Sequence, residues 1–344
     1  MHIIHVNLAK GFRGGERQTA LLIQALSGRV KQQTLVCRSD SPLRNELERL
    51  SFLTFVDANH LFQGHERVGH ASVVHAHEAK AAHWAWLHKK RFRTPYVLTR
   101  RVDTPIKRKW TNRLFYGDAD SCVAISSIIQ QELAGWSPRP IPIIPSAISN
   151  SQNNAELVCE YRARYPGKII IGHVGALVDR HKGQLELIKV ARKLKERAPE
   201  LLFVFFGDGA DRDMLEKASD QLDNVVWEGF KGNVNDYLPA LDIFLFPSRN
   251  EGLGSVLLDV MKAGVPIIAN NTGGIPDIIK HEYNGFLVDA TDTESMIEYI
   301  FLLIKNESIK KNIVANACRD LKLYSKDVMA EKYLAIYKEL NLNA

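Results

Sequence analysis

The 344-residue sequence has only four cysteines, Cys37, Cys122, Cys159 and Cys318, scattered and without C-x-x-C spacing. They read as reduced thiols of a cytosolic protein, not as a disulfide framework. No apolar run reaches the roughly 18–20 residues of a membrane span. Internal repeats and low-complexity tracts are also absent, which excludes solenoids and biased linker proteins. The start, Met1-His2-Ile3-Ile4-His5-Val6-Asn7, enters a strand at once and lacks a signal-peptide layout. The net charge of +6 admits nucleic acid, an anionic membrane or an anionic substrate as partner. Without an RNP, zinc-finger or helix-turn-helix signature, nucleic acid is set aside. What remains is a globular composition, 45% hydrophobic and 24% charged, long enough for two domains.

The most informative stretch is Asp242–Ile279. Its apolar run Ile243–Phe246 reads as a buried parallel strand, closed by Pro247 and Ser248. A loop Glu251-Gly252-Leu253-Gly254-Ser255 leads into an apolar helix that ends near Ala263, before Gly264 and Pro266. Such a strand-to-helix crossing is where open α/β sheets bind ligands. The amides of Gly254, Ser255 and Val256 favour an anion such as phosphate, and Asp259 follows one helical turn beyond Ser255. An anion-ready loop between two carboxylates suits a nucleotide sugar.

With seven residues between Glu251 and Asp259, the segment resembles the E-x7-E element of retaining GT-B glycosyltransferases, family 4 in particular. The resemblance implies that Glu251 lies by the donor sugar, the Gly252–Ser255 loop meets the phosphates and Asp259, here in place of a Glu, holds the ribose. Gly175 to Gly183 resembles the family's V-G-R-L…K-G loop, whose cations neutralise the diphosphate. Lys182-Gly183 matches; the family Arg is Ala176 here, with Arg180 as the compensating cation. Two such cations serve a leaving group without a metal ion. Gly207 begins a G-x-G after the next strand, and Phe230 and Lys231 follow the segment that resembles the base-contacting one. On their residues alone, Phe230 and Lys231 read equally well as an ordinary strand end and turn. Thr272 to Asp277 resembles GG-x-P-E, a turn shaped by packing as much as by ligand.

The first half alternates strands and helices, which argues for a parallel sheet. The loop Lys10–Arg17 follows the strand Ile3–Asn7 and precedes a helix from about Glu16 to Leu26. It is either a tight turn or, as the family's GG-x-E-R loop implies, a border of donor phosphate and acceptor, which gives roles to Gly14, Gly15 and Glu16. His75 and His77 share one strand face; a metal site is considered, but no third ligand is legible. The H-x-H resembles the family's strand-end motif, making His77 a lining residue. Thr99-Arg100-Arg101 stands where the family has T-x-H, so Arg101 brings a permanent charge in place of an imidazole. Arg101 and Asp103 read as acceptor-side residues, for an anionic acceptor, or as a surface ion pair. Ten cations between Lys89 and Arg113, interleaved with Trp84, Trp86, Phe92 and Trp110, form either an anionic-membrane face or a solvated helix face.

These readings imply a GT-B α/β fold of two Rossmann-like doubly wound domains facing a cleft. Residues 1–150 are the acceptor domain and 151–325 the nucleotide-sugar domain, with a linker over Ser146–Glu156. Residues 326–344 form a helix crossing back to the first domain. The implied function is retaining transfer from a nucleoside diphosphate sugar, UDP-linked, to a glycan or lipid-linked acceptor, in bacterial lipopolysaccharide or envelope polysaccharide synthesis. No metal or other cofactor is expected. The expected location is cytoplasmic, peripheral on the inner face of the membrane. The competing readings are a non-catalytic nucleotide-sugar-binding subunit and a nucleotide-sugar epimerase of the same architecture.

Overall fold

The structure is a computed structural model that describes residues 1–149 and 154–342. The chain divides into two units: Met1–Ala147 with the segment from Tyr324 onward, and Ile148–Leu323. Of the segment read as a linker, residues 150–153 lie outside the described residues. Ser146 and Ala147 are buried in the first unit, where Gln18 exchanges hydrogen bonds of 2.8 and 2.7 Å with the Ala147 backbone. Ala155 and Glu156 already belong to a helix.

The first unit contains strands β1 (His2–Asn7), β2 (Gln32–Cys37), β3 (Leu53–Asp57), β4 (Val73–Ala76), β5 (Tyr96–Arg100) and β6 (Ser121–Ala124). They alternate with helices α1 (Gly14–Ala25), α2 (Pro42–Leu47), α3 (His65–Val68), α4 (Ala79–Phe92), α5 (Trp110–Gly117) and α6 (Ser127–Ala134). All the strands pair in parallel, in the order β3-β2-β1-β4-β5-β6. The C-terminal helix, Lys326–Leu342, covers one face. Its Met329, Ala330, Tyr333 and Tyr337 are buried in a core with Leu21, Leu22, Val73 and Val97.

The second unit opens with α7 (Ala155–Ala163) and carries β7 (Ile169–Val174), β8 (Leu201–Phe206), β9 (Val225–Gly229), β10 (Ile243–Phe246), β11 (Ile267–Asn270) and β12 (Phe286–Val288). Its further helices are α8 (Asp179–Lys182), α9 (Gln184–Leu194), α10 (Arg212–Ala218), α11 (Val256–Lys262), α12 (Ile275–Ile278), α13 (Thr293–Lys305) and α14 (Glu307–Asp320). The order is β12-β11-β10-β7-β8-β9, the same winding as the first sheet when counted from the first strand of the unit. Strands such as Leu-Leu-Phe-Val-Phe-Phe in β8 are buried at every position, because helices cover both faces of a parallel sheet. Each Leu or Phe so buried contributes about 1.5–3 kcal/mol. Short β12 and the single turn α8 are elements that the sequence pattern did not reveal.

Among the described residues no helix is long and apolar enough to cross a membrane. The basic stretch between Lys89 and Arg113 is not one surface. Trp84 is core, donating its indole N–H to the Gln63 carbonyl at 2.8 Å. Lys89 pairs with Asp120 at 2.8 Å, Lys90 with Asp118 at 2.8 Å and Arg91 with Glu66. Arg100 is buried and donates to the Tyr116 hydroxyl at 2.9 Å. Lys107, Arg108, Lys109 and Arg113 remain exposed, around a Trp110 that is 75% exposed.

Each unit also buries a neutral histidine: burial lowers the pKa of His5 and of His173 from 6.5 to about 4. With the folded values below the unfolded one, the unfolded chain binds more protons as the solution is acidified. Stability from these groups is therefore complete above pH 6.5 and lost as pH falls through about 4. Urea midpoints measured between neutral and mildly acid pH should decline; a flat profile would contradict the buried neutral imidazoles.

Candidate functional site

In a sheet wound this way the first and fourth strands of the unit are neighbours whose connections leave toward opposite faces. A crevice therefore opens outside their carboxyl ends. In the second unit these are β7 and β10, and the loops after them carry Lys182 and Glu251. Asp179–Lys182 forms the single turn α8, and Gly183 follows in the left-handed region at φ 66°. A Cβ on Gly183 would overlap the Pro247 carbonyl oxygen, so glycine is what lets the two loops touch.

Lys182 Nζ contacts Glu251 Oε2 across the crevice, and both side chains stay partly open, 21% and 17% exposed. The ammonium also lies 5.5 Å from the centroid of Phe246. Arg249, which the sequence reading passed over, holds the loops together. It donates to the Asp179 carbonyl at 2.9 Å and pairs with Asp179 at 3.2 Å and Glu186 at 2.9 Å. Its own N–H donates to the His181 carbonyl at 2.8 Å. Asp179 in turn accepts from the Leu185 amide at 2.7 Å, ordering the start of α9. An arginine two residues before a loop carboxylate, with acids near the facing lysine, is a faint sequence signal.

Beyond Glu251, the amides of Gly252 through Val256 make no backbone hydrogen bond among the described residues, and the α11 ladder begins with Leu257 donating to Gly254 at 2.9 Å. The Gly273-Gly274 turn lies directly beneath. Gly274 N–H donates to the Glu251 carbonyl at 2.9 Å, and a Cβ on either glycine would strike the Glu251–Gly252 backbone. That turn is shaped by packing. Asp259 Oδ1 accepts from the Ser149 hydroxyl at 2.7 Å and the Ser149 amide at 3.2 Å, so one of its oxygens is already engaged.

A separate cavity of about 290 Å³ lies at the carboxyl ends of β7, β8 and β9. Its lining includes four residues singled out in the sequence: Gly175, Gly207, Phe230 and Lys231. Phe230 is 76% exposed, an apolar ring offered to solvent at the cavity mouth. Lys231 Nζ lies 3.6 Å from buried Glu228, which also accepts from Tyr161 and Tyr165 at 3.2 Å each and from Arg164 at 3.0 Å. Ala176 is exposed on the rim. Arg180 is exposed and forms no ion pair among the described residues.

In the first unit, Gly14, Gly15 and Glu16 form the first turn of α1, which starts two residues before the sequence suggests. Glu16 turns back and accepts from the Arg13 amide at 2.8 Å, closing that turn. His77 follows β4, Arg101 follows β5, and Asp103 sits in the irregular loop before α5. The structure supplies the third histidine that the sequence did not: nitrogen atoms of His5, His75 and His77 lie within 4.8 Å of one another. All three rings are buried. Most of their nitrogens are bonded to protein: His5 to Gln33 at 3.1 Å and to His77 at 3.0 Å, His75 to Tyr337 at 2.6 Å and to Thr99 at 2.7 Å. As arranged, the cluster is a hydrogen-bond chain, with only His77 Nδ1 unpartnered.

Two six-stranded parallel sheets, each doubly wound with flanking helices, define the GT-B fold. Anabaena Alr3699/HepE, solved with UDP and glucose, superposes with a TM-score of 0.82 over 98% of this chain and 100% of that one, at 17% identity. Residues 160–320 match the family Glycosyl transferases group 1. The 2-deoxystreptamine N-acetyl-D-glucosaminyltransferase of Niallia circulans is 28% identical over 200 residues, 56% of this chain and 49% of the relative. A Campylobacter jejuni relative, N,N'-diacetylbacillosaminyl-diphospho-undecaprenol alpha-1,3-N-acetylgalactosaminyltransferase, is 28% identical over 165 residues, 47% of this chain and 43% of that one. The chain thus spans about half the length of these two curated relatives.

Replacing Arg249 with alanine should cost about 1–3 kcal/mol, the range for charged hydrogen bonds with a partly buried acid left behind. Denaturant titration against wild type measures it, and an unchanged midpoint would mean that the clamp holds nothing. Gly183→Ala should cost a further ~1–3 kcal/mol from the left-handed backbone alone.

Proposed function

We propose that the chain is a retaining glycosyltransferase that moves a sugar from a UDP-linked donor to a hydroxyl of a glycan or lipid-linked acceptor. The observation that carries this reading is the contact of Lys182 with Glu251 beside the unbonded amides of Gly252–Val256. A diphosphate laid on those amides would take over the Lys182 ammonium and release the Glu251 carboxylate toward the sugar. Lys182, helped by exposed Arg180, then offsets the charge that develops on the leaving diphosphate, so transfer proceeds without a metal ion. Glu251 orients the sugar and stabilises positive charge at the anomeric carbon; no covalent step is assigned to it. The base occupies the cavity bounded by Phe230 and Lys231, and Asp259 uses its second oxygen for the ribose. A UDP complex of the Anabaena protein with the same fold supports this choice of base.

Retention has a second support in the first unit, which takes the acceptor. Inverting transfer needs a strong base beside the acceptor hydroxyl. His77, whose Nδ1 has no partner, is held well below its ordinary pKa by burial and by the neighbouring His75, His5 and Arg101. It is a poor base. The exposed cations around Trp110 suit an anionic bilayer, and the name of the Campylobacter relative contains a diphospho-undecaprenol acceptor. Together these favour envelope polysaccharide or lipopolysaccharide synthesis at the cytoplasmic membrane face.

Lys182→Met and Glu251→Gln should each lower turnover by about 10²–10³-fold, the scale for losing one preorganised electrostatic contact, and EDTA should leave wild-type turnover unaltered. A UDP-sugar panel read by product release and by the anomeric NMR signal tests this. An inverted product removes the retaining assignment, and full activity of Lys182→Met removes the site. The exposed Ala176, where the resemblance implies an arginine, favours a second reading, a non-catalytic binding subunit. Donor binding without transfer across the panel would establish that alternative.

A further inference from the structure

The first unit has its own switch point, between β1 and β4, and the side chains around it leave polar atoms without partners. Their hydrogen bonds settle what those atoms can do. Gln33 donates its amide to the Ile23 carbonyl at 3.1 Å, so its oxygen faces His5, which must donate to it from Nε2. A neutral His5 then has only a lone pair at Nδ1 and accepts a hydrogen bond from His77 Nε2–H at 3.0 Å. His77 Nδ1 is therefore a bare lone pair, buried and with no donor.

Beside it stands Arg101, whose charge adds to the burial that lowers the pKa of His75 and His77. Its Nε and one terminal nitrogen are buried and unpartnered, and no carboxylate lies within ion-pair distance among the described residues. Glu16, whose charge does reach it, is turned to the Arg13 amide. The arginine stem packs on the first turn of α1: a Cβ on Gly15 would lie 3.6 Å from Arg101 Cδ. A guanidinium withdrawn from water without an acceptor is costly, and an anion is what repays it. An imidazole at this place would stay neutral, as His75 and His77 do; an arginine keeps its charge. Arg101 as a whole is half-buried, with Nε and one terminal nitrogen fully withdrawn from water.

We propose that Arg101, His77 and the first-turn amides of α1 recognise a substrate oxyanion, carboxylate or phosphate, that stands next to a hydroxyl. The guanidinium and amides take the anion, and the His77 lone pair accepts from the hydroxyl. The proposal rests on the glycosyltransferase reading and names the class of substrate that it would select: an acidic sugar or a phosphorylated one, as acceptor or as donor.

Calorimetry on the full chain tests it with wild type, Arg101→Met and Arg101→Lys. With UDP saturating, the probes are inorganic phosphate, methyl glucuronide and neutral methyl glucoside; without it, UDP-glucuronate and UDP-glucose. Arg101→Met should keep UDP affinity and melting temperature, and lose about 10- to 100-fold in affinity for the anionic probes only. Arg101→Lys should fall between, since it keeps charge but not the fork. A loss confined to phosphate or methyl glucuronide assigns the anion to the acceptor, and one confined to UDP-glucuronate assigns it to the donor sugar. Equal affinities in wild type and Arg101→Met, no preference of wild type for anionic probes, or a marked fall in melting temperature would each overturn the site. If wild type fails to bind UDP, the glycosyltransferase reading fails, while the comparison of glucuronide with glucoside still decides this one.

Discussion

The contact between Lys182 and Glu251 joins residues 69 positions apart in sequence, and it exists because β7 and β10 are neighbours in a parallel sheet. Their connections leave toward opposite faces, so the two loops part at the carboxyl end and leave a crevice that neither fills. Bringing the loops into touch requires a residue without a Cβ at Gly183 and the Arg249 clamp onto Asp179 and Glu186. An ion pair this open contributes little to stability by itself. Its importance is positional: a cation, a carboxylate and a row of amides without backbone partners are held together at one crevice.

The first sheet repeats the winding without repeating the sequence, and it places different chemistry at the equivalent point. There the carboxyl-end face is backed by imidazoles hydrogen-bonded to Gln33, Thr99 and Tyr337, of which Gln33 fixes the tautomer of His5. Two of those partners depend on the C-terminal helix, whose Tyr333 and Tyr337 reach Thr99 at 2.9 Å and His75 at 2.6 Å. The last helix of the chain thus sets the hydrogen-bonding state of residues encoded near its beginning. Burial keeps these rings neutral, and Arg101 supplies the one permanent charge that an imidazole in such surroundings could not.

Much of this was legible in the residues. Apolar runs such as Ile243–Phe246 and Leu202–Phe206 mark strands because a doubly covered sheet buries both faces of its strands. Glu251 and its glycine loop stand out as a strand-loop-helix crossing, while Lys182-Gly183 stands out through its resemblance to the family's K-G loop. The basic stretch at Lys89–Arg113 was legible only as charge, which does not reveal pairing: Asp118, Asp120 and Glu66 take three of its cations and the core takes Trp84. The turn Gly273-Gly274 read as shaped by packing as much as by ligand, and its glycines serve the approach of two backbones.

The sequence by itself determined the strands, the glycine turns and which loops carry charge, because those follow from local periodicity and backbone freedom. Only the tertiary structure decided that Lys182 meets Glu251, that Arg249 clamps them, that His5 completes a histidine chain and that Arg101 has unpaired donors. Each of these is a distance between residues remote in the chain, fixed by strand order and burial, and no local pattern encodes such a distance.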